Sequence, residues 1–332
     1  MDTKLNRRKL LAGIGIGSAA ALVGTGSAQA APYLPEVVRG DGPFLHPEGV
    51  AWYRPRRRFL VGSLYRGTVS TVDRYGTTRT LADDGVMVST VGLDVHHRYN
   101  RVYAAFRDDG VGERSTPETL NKQSGLGVFR GHDGKLLHRV DLTRLPGSTD
   151  GPHGANDVVV DPSGTAYVTD FVAGEIFRVA YNGEASLFLR APDKLGSGFG
   201  PNGIVHHDDG YLLVGRYDEG RLWRIPVDDP ESVSEVELDA PIVGADGLAW
   251  GRDGDLVAVR NDLASTGTPS AVTLRSEDGW RSARTVGLVE PWPDDAPTTA
   301  VSTPDGVYVV ESRLRPFLQE GALHREFTLR RL

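Results

Sequence analysis

Four residues place oxygen donors at one recurring position of this sequence. Glu48, Asn156, Asn202 and Asp246 each stand just ahead of a short apolar run, as in Glu48-Gly49-Val50-Ala51-Trp52 and Asn202-Gly203-Ile204-Val205. Two carboxylates and two amides offer a cation hard oxygen. The chain has no cysteine, and an oxygen set suits Ca2+, with Mg2+ or Mn2+ as alternatives, better than zinc or copper. The two carboxylate charges balance one divalent ion; without it they repel, and one pKa must rise. Asn and Asp also open turns and strands for local reasons, and any one of these motifs alone would carry that simpler reading. The argument for a metal site rests on four of them at equivalent places.

A base belongs beside such a cation. His153, in Gly151-Pro152-His153-Gly154, lies three residues before Asn156, and an imidazole titrates in the range that proton transfer needs. A loop histidine bonded to backbone is the competing reading. His46, two residues before Glu48, is a weaker candidate. His96-His97 and His206-His207 fall in turns after apolar runs and are expected to face solvent. Arg216, Arg260 and Glu311 close second apolar runs, where they could bind polar substrate groups or pair with one another. Neither H-E-x-x-H nor G-x-S-x-G occurs after residue 30, which argues against a zinc protease or an α/β-hydrolase.

The elements that position these residues repeat. Taking Gly49, Gly92, Asp157, Gly203, Gly247 and Ala300 as equivalent points gives spacings of 43, 65, 46, 44 and 53 residues. Each interval holds short β-branched runs separated by Gly or Asp turns, as in Val158-Val159-Val160, Asp161-Pro162-Ser163-Gly164 and Ala166-Tyr167-Val168-Thr169-Asp170. No segment has a strong helical period. Units of this length match one four-stranded blade, and the pattern predicts an all-β fold, a six-bladed β-propeller with a metal site at its central channel. Innermost strands line such a channel, so the four oxygen donors should meet at one mouth. Two β-sandwich domains are the structural alternative, which the regular period opposes. The stretch 107–126 is the one long insertion and could cover the mouth. Pro291-Trp292-Pro293 could add an aromatic wall, or be a surface Trp braced by prolines.

Residues 1–30 read as an export signal: Arg7-Arg8, a weakly apolar Gly/Ala stretch, then Ala28-Gln29-Ala30. The paired arginines resemble a twin-arginine signal, which predicts an exported protein, periplasmic or extracellular, without a stable membrane span. Residues 31–332 are then a single propeller domain. Apolar residues are 39% and charged residues 24% of the chain, which excludes wholesale disorder and a polytopic membrane protein. Without residues 1–30 the chain keeps 33 basic residues against 43 acidic ones, a formal charge of −10. That argues against nucleic acid as a partner and leaves a small-molecule substrate.

The motifs His46-Pro47-Glu48-Gly49, Asn156-Asp157 through Ser163-Gly164, Gly200-Pro201-Asn202-Gly203 and Gly244-Ala245-Asp246-Gly247 resemble those of the senescence marker protein / gluconolactonase family of calcium-dependent six-bladed propellers. The resemblance spans about residues 40–310. It implies that Glu48, Asn156, Asn202 and Asp246 hold a catalytic divalent metal. It also implies that Asp246 takes the proton from water in opening a lactone or a related ester. The insertion at 107–126 and the faint last repeat depart from the family pattern. Two other functions compete: a non-catalytic propeller that binds a ligand or partner around a structural calcium, and a condensing enzyme like strictosidine synthase, which the intact quartet opposes.

Overall fold

Short antiparallel strands supply nearly all the regular structure of this computed structural model, which describes residues 33–332. The predicted export segment lies outside those residues. β1 (Val37–Asp41) is first in the chain but is used last. β2 (Val50–Tyr53), β3 (Arg58–Gly62), β4 (Val69–Val72) and β5 (Thr78–Ala82) form the first sheet. β6 (Ser89–His96), β7 (Arg101–Arg107), β8 (Ser124–Arg130) and β9 (Leu136–Asp141) form the second. The third contains β10 (Ala155–Val160), β11 (Ala166–Asp170), β12 (Glu175–Val179) and β13 (Ala185–Arg190). In each, strands adjacent in sequence are adjacent in space.

The next two units follow the same order. They are β14 (Pro201–His207), β15 (Tyr211–Arg216), β16 (Arg221–Pro226) and β17 (Ser234–Leu238), then β18 (Ala245–Trp250), β19 (Leu256–Arg260), β20 (Ser270–Arg275) and β21 (Ser282–Val289). A short parallel pairing of Glu237 and Leu238 with Ser282 and Ala283 merges these two units into one eight-stranded sheet. The last sheet runs β22 (Pro297–Thr303), β23 (Gly306–Glu311), β24 (Glu326–Arg331) and then β1. Val38 lies opposite Leu329 and Gly40 opposite Phe327. An early strand thus completes the faint last repeat, which is why that repeat reads as incomplete.

The turn chemistry is local. At the β10–β11 hairpin the Asp161 carboxylate accepts the amides of Ser163 (2.8 Å) and Thr165 (3.0 Å). Gly164 takes a φ of 91° there, a conformation an L side chain rarely adopts. Among the described residues α-helix is confined to α1 (Pro192–Leu195) and α2 (Leu314–Glu320), beside short 3-10 turns at Arg54–Arg56, Pro230–Ser232 and Arg252–Gly254.

Both faces of the inner strands are largely buried, and alternate residues serve different neighbours. Val50 and Trp52 pack with Tyr308 and Val310 of the last sheet, whereas Ala51 and Tyr53 pack with Leu93 and Val95 of the second. The same division continues round the chain, each apolar cluster joining one unit to the next. First strands touch in a closed cycle, β2 to β6, β10, β14, β18, β22 and back to β2. Glycine permits the approach: a Cβ on Gly49 would lie 2.1 Å from the Val91 carbonyl oxygen, and one on Gly203 would lie 2.7 Å from that of Asp246.

Candidate functional site

Local backbone geometry aims the oxygen donors. The pairing of β10 with β11 shifts register between Ala155 and Val158, that of β14 with β15 between Pro201 and Ile204, and that of β18 with β19 between Ala245 and Gly247. A bulge of this kind redirects one side chain out of the alternation. Asn156, Asn202 and Asp246 are the redirected residues, and Glu48 lies two residues ahead of β2. All four are buried, at 4–9% exposure.

The structure ties them into one group. Arg107 Nη1 donates to Asn156 Oδ1 at 2.7 Å. Asn156 Nδ2 donates to Asn202 Oδ1, and Asn202 favours the charged form of Asp246. From the other side Asn261 Nδ2 donates to Asp246 Oδ2 at 2.6 Å. Glu48 joins electrostatically: burial first, and then the charge of Asp246, pushes its carboxyl well above the ordinary range, against a counter-effect of Arg107. Burial likewise lifts Asp246 to about 6, although the Asn261 bond, Asn202 and the Arg107 charge oppose the rise. Two neighbouring buried carboxyls with raised pKa values form a donor set that a hard cation would relieve. Among the described residues no three His, Asp or Glu side chains come together as a metal cluster. A cation here would depend on the two amide oxygens, and would share that of Asn156 with Arg107.

His153 and His46 sit near the quartet with their ring nitrogens engaged. His153 Nδ1 lies 2.8 Å from Asp170 Oδ2, and Nε2 lies 3.1 Å from the Thr149 carbonyl oxygen, which can only accept. Burial lowers the His153 pKa, but the bond and charge of Asp170 outweigh it and the net shift is upward. His46 Nδ1 donates to the Ser312 carbonyl (3.2 Å), while Nε2 accepts the His324 amide (3.0 Å). Its ring stacks on Phe317 at 4.1 Å, and burial holds its pKa at about 4.

Other expectations need correction. Of the two histidine pairs expected to face solvent, His96 is buried and His97, His206 and His207 are half-buried. His96, His97 and His206 line a cavity of about 670 Å³ that runs between the first strands, with no member of the quartet in its lining. Arg54, in the basic turn Arg54–Arg56, lines the same end. Inside it, Asp94 bonds the amides of Val95 (2.6 Å) and Val160 (2.8 Å), and Asp157 bonds that of Val158 (2.8 Å). Trp292 is neither a surface residue nor a mouth wall; it is buried with Ala271, Ala300 and Val309. Arg216 pairs with Asp218 and Glu219, Arg260 with Glu290, and Glu311 accepts the Arg313 amide, so these three do not pair with each other. The inserted segment begins at Arg107, whose guanidinium reaches the quartet, and continues along the neighbouring unit through Glu113 N to Tyr65 O (2.7 Å) and Arg114 to Asp83 (2.9 Å).

Arg107 and Asn261 were missed as site residues. Arg107 closes β7 as Arg216 closes β15 and Arg260 closes β19, so the repeat carried a signal for it. Asn261 follows Arg260 directly, and only its burial against Asp246 reveals its role.

Neither a family model nor a curated protein sequence matches this chain. Solved structures do. The Malassezia sympodialis allergen Mala s 1 aligns over 90% of this chain and 96% of its own, with a TM-score of 0.68 at 18% identity. A Xanthomonas campestris gluconolactonase aligns over 92% and 93%, at 0.60 and 15%. Virginiamycin B lyase from Staphylococcus aureus aligns over 89% and 99%, at 0.53 and 12%. At these identities the likeness is one of fold. No helix among the described residues is long and apolar enough to cross a membrane.

Proposed function

We propose that this chain is an exported hydrolase of the senescence marker protein / gluconolactonase type, a six-bladed propeller that opens a lactone or cleaves a related ester with a divalent cation. The observation that carries the reading is the pair of buried, mutually repelling carboxyls, Glu48 and Asp246, joined to Asn156 and Asn202 at one end of the cycle of first strands. These four would hold Ca2+, or Mg2+ or Mn2+ in its place. Bound there, the ion would supply Lewis-acid polarisation of the substrate carbonyl.

The chain's own groups would do the rest. Asp246, with one oxygen held by Asn261, would take a proton from the attacking water as the water oxygen bonds to the carbonyl carbon. The acyl C–O bond then breaks, and the departing oxygen recovers a proton. A carboxyl near pKa 6 is well matched to that exchange. Arg107 would steady the amide of Asn156 and offset part of the carboxylate charge. His153 is set aside as the base, because both of its nitrogens are engaged. Its bond to Asp170 instead braces the loop that leads into Asn156.

The test is hydrolysis of a panel of lactones and aryl esters before and after chelation and Ca2+ repletion. Activity lost on chelation and restored by Ca2+ is the expected result. A melting temperature that responds to Ca2+ with no turnover on any substrate would favour a binding propeller with structural calcium.

A further inference from the structure

Beside the polar quartet stands a short aromatic wall that the reading above leaves unused. Phe199 is 49% exposed, while most large apolar side chains in the first strands are buried. A single exposed Phe calls for no explanation. This one belongs to a set: its ring lies 5.7 Å from that of Phe171 and 6.2 Å from that of Tyr217.

Each partner connects to the quartet through one intervening residue. The Tyr217 hydroxyl donates to Asn261 Oδ1 at 2.6 Å, and Asn261 donates to Asp246. On the other side the Arg107 guanidinium lies 4.9 Å from the centre of the Phe171 ring and bonds Asn156. Phe199 itself is three residues ahead of Asn202.

The exposed ring is also held in place. Gly198 N donates to Val172 O and Gly200 N to Phe171 O, both at 3.0 Å, and Asp218 N reaches Phe199 O at 3.3 Å. A Cβ on Gly200 would stand 2.6 Å from the Gly196 carbonyl oxygen, so the loop folds tightly on its glycines. An apolar surface fixed beside a polar site favours a flat apolar ligand group, because little ordering entropy is lost on contact. A ring of hydroxyls would find no hydrogen-bond partner on this wall.

We propose that Phe199 and Phe171 form the docking wall for a flat apolar group of the substrate, so that the site takes aryl-fused or aryl-substituted lactones and esters in preference to polyhydroxylated sugar lactones. The proposal rests on the hydrolase reading for its chemistry, and on the wall alone for its preference. It makes Phe199 a specificity residue: the ring meets the part of the substrate that does not react.

The Ca2+-loaded protein is assayed with dihydrocoumarin, an aryl-fused lactone, and with glucono-1,5-lactone. The wild type is expected to favour dihydrocoumarin in kcat/KM by at least about tenfold, a margin that aromatic stacking and burial can supply. Phe199→Ser should raise KM for dihydrocoumarin and lower its kcat/KM at least fivefold more than that for the sugar lactone, with Phe199→Leu in between. A preference for the sugar lactone, or equal losses on both substrates, overturns the proposal. Calorimetric binding of dihydroquinolin-2-one, the amide counterpart of dihydrocoumarin, separates the two readings. Binding that Phe199→Ser weakens, without turnover of any lactone, keeps the wall and sinks the hydrolase. Neither binding nor turnover overturns the wall.

Discussion

The two ends of the space enclosed by the first strands differ in what they gather: carboxyls with amide side chains at one, histidines and aromatic rings at the other. At one end the second residues of β10, β14 and β18 are redirected by bulges. Two carboxyls, Glu48 and Asp246, are left there with pKa values raised by burial, that of Glu48 also by the Asp246 charge. At the other end the residues that close the first strands are stacked or bonded. His96 stacks on Tyr99 at 4.4 Å and contacts the Pro162 carbonyl, His207 stacks on Tyr211 at 4.4 Å, and Trp250 Nε1 donates to the His206 carbonyl at 2.8 Å. This end holds the cavity of about 670 Å³. Two buried carboxyls lie inside it as well, Asp94 and Asp157, both raised by burial, Asp157 to about 8. They bond backbone amides, however, and no amide side chain joins them in the lining. A hard cation takes carboxylate and amide oxygens together, and the quartet end combines them, so it is the better candidate.

The comparison breaks most sharply by removing one side chain at each end. Asp246→Ala should lose the cation and reduce kcat/KM by about 10² or more, the scale of a positioned proton acceptor. His206→Ala, at the cavity end, should leave hydrolysis and Ca2+ affinity near those of the wild type. Steady-state kinetics with Ca2+ titration reads both. Equal losses in the two variants would erase the distinction between the ends.

Glu48→Gln sharpens it by separating stability from function. With a chelator present, the variant removes a buried carboxyl that only repels its neighbour. It should then melt about 2 °C or more above the wild type, the scale of roughly 1 kcal/mol in a domain this large. With Ca2+ present the order should reverse, because the wild type gains a ligand that the variant cannot hold. A variant less stable in both conditions would mean that Glu48 is already satisfied by protein groups.

The spacing between strands is a third lever. Gly203→Ala places a Cβ 2.7 Å from both Asp246 O and Leu248 N, which are backbone and cannot swing aside. It should cost about 1–3 kcal/mol, as overpacking does. Calcium affinity should fall with it, because β14 and β18 carry adjacent donors. At Gly210 a Cβ meets nothing within 4 Å, but φ is 82°, so Gly210→Ala should lose some stability through backbone strain and keep its calcium affinity.

Much of this was legible before any coordinates. The equivalent points Gly49, Gly92, Gly203 and Gly247 mark where first strands touch, so the sequence period and the spatial cycle are the same fact. The donors Asn156, Asn202 and Asp246 were visible because a bulge and a following apolar run recur together. Arg107 was not, because an insertion follows it and hides its place at the end of β7. The far-end histidines were misplaced by a rule of thumb: residues after a strand usually meet solvent, but here those strands surround a cavity. Outer strands such as β5, with Thr78-Arg79-Thr80 half-buried or exposed, carry little apolar pattern to read.

The smallest effects concern the two histidines at the quartet end, and they show that the imbalance there belongs to the carboxyls. His46 is held near pKa 4, below the ordinary 6.5, by burial and by His324. The unfolded chain therefore binds the extra proton between those values. The stability tied to His46 is present above pH 6.5 and is lost as pH falls towards 4. His153 has the opposite sign. Its folded pKa is raised, because the Asp170 bond and charge outweigh burial. Its stability is present below pH 6.5 and is lost as pH rises through the raised value. Melting temperatures followed from pH 4 to pH 9 in the presence of a chelator read both limbs. His46→Asn tolerates the left-handed backbone at this position (φ 45°) and should flatten the acid limb. His153→Gln should flatten the alkaline limb and leave the acid one. If His153→Gln instead abolished hydrolysis while the alkaline limb stayed unchanged, His153 would be acting on substrate rather than on Asp170, and the base would have to be reassigned from Asp246.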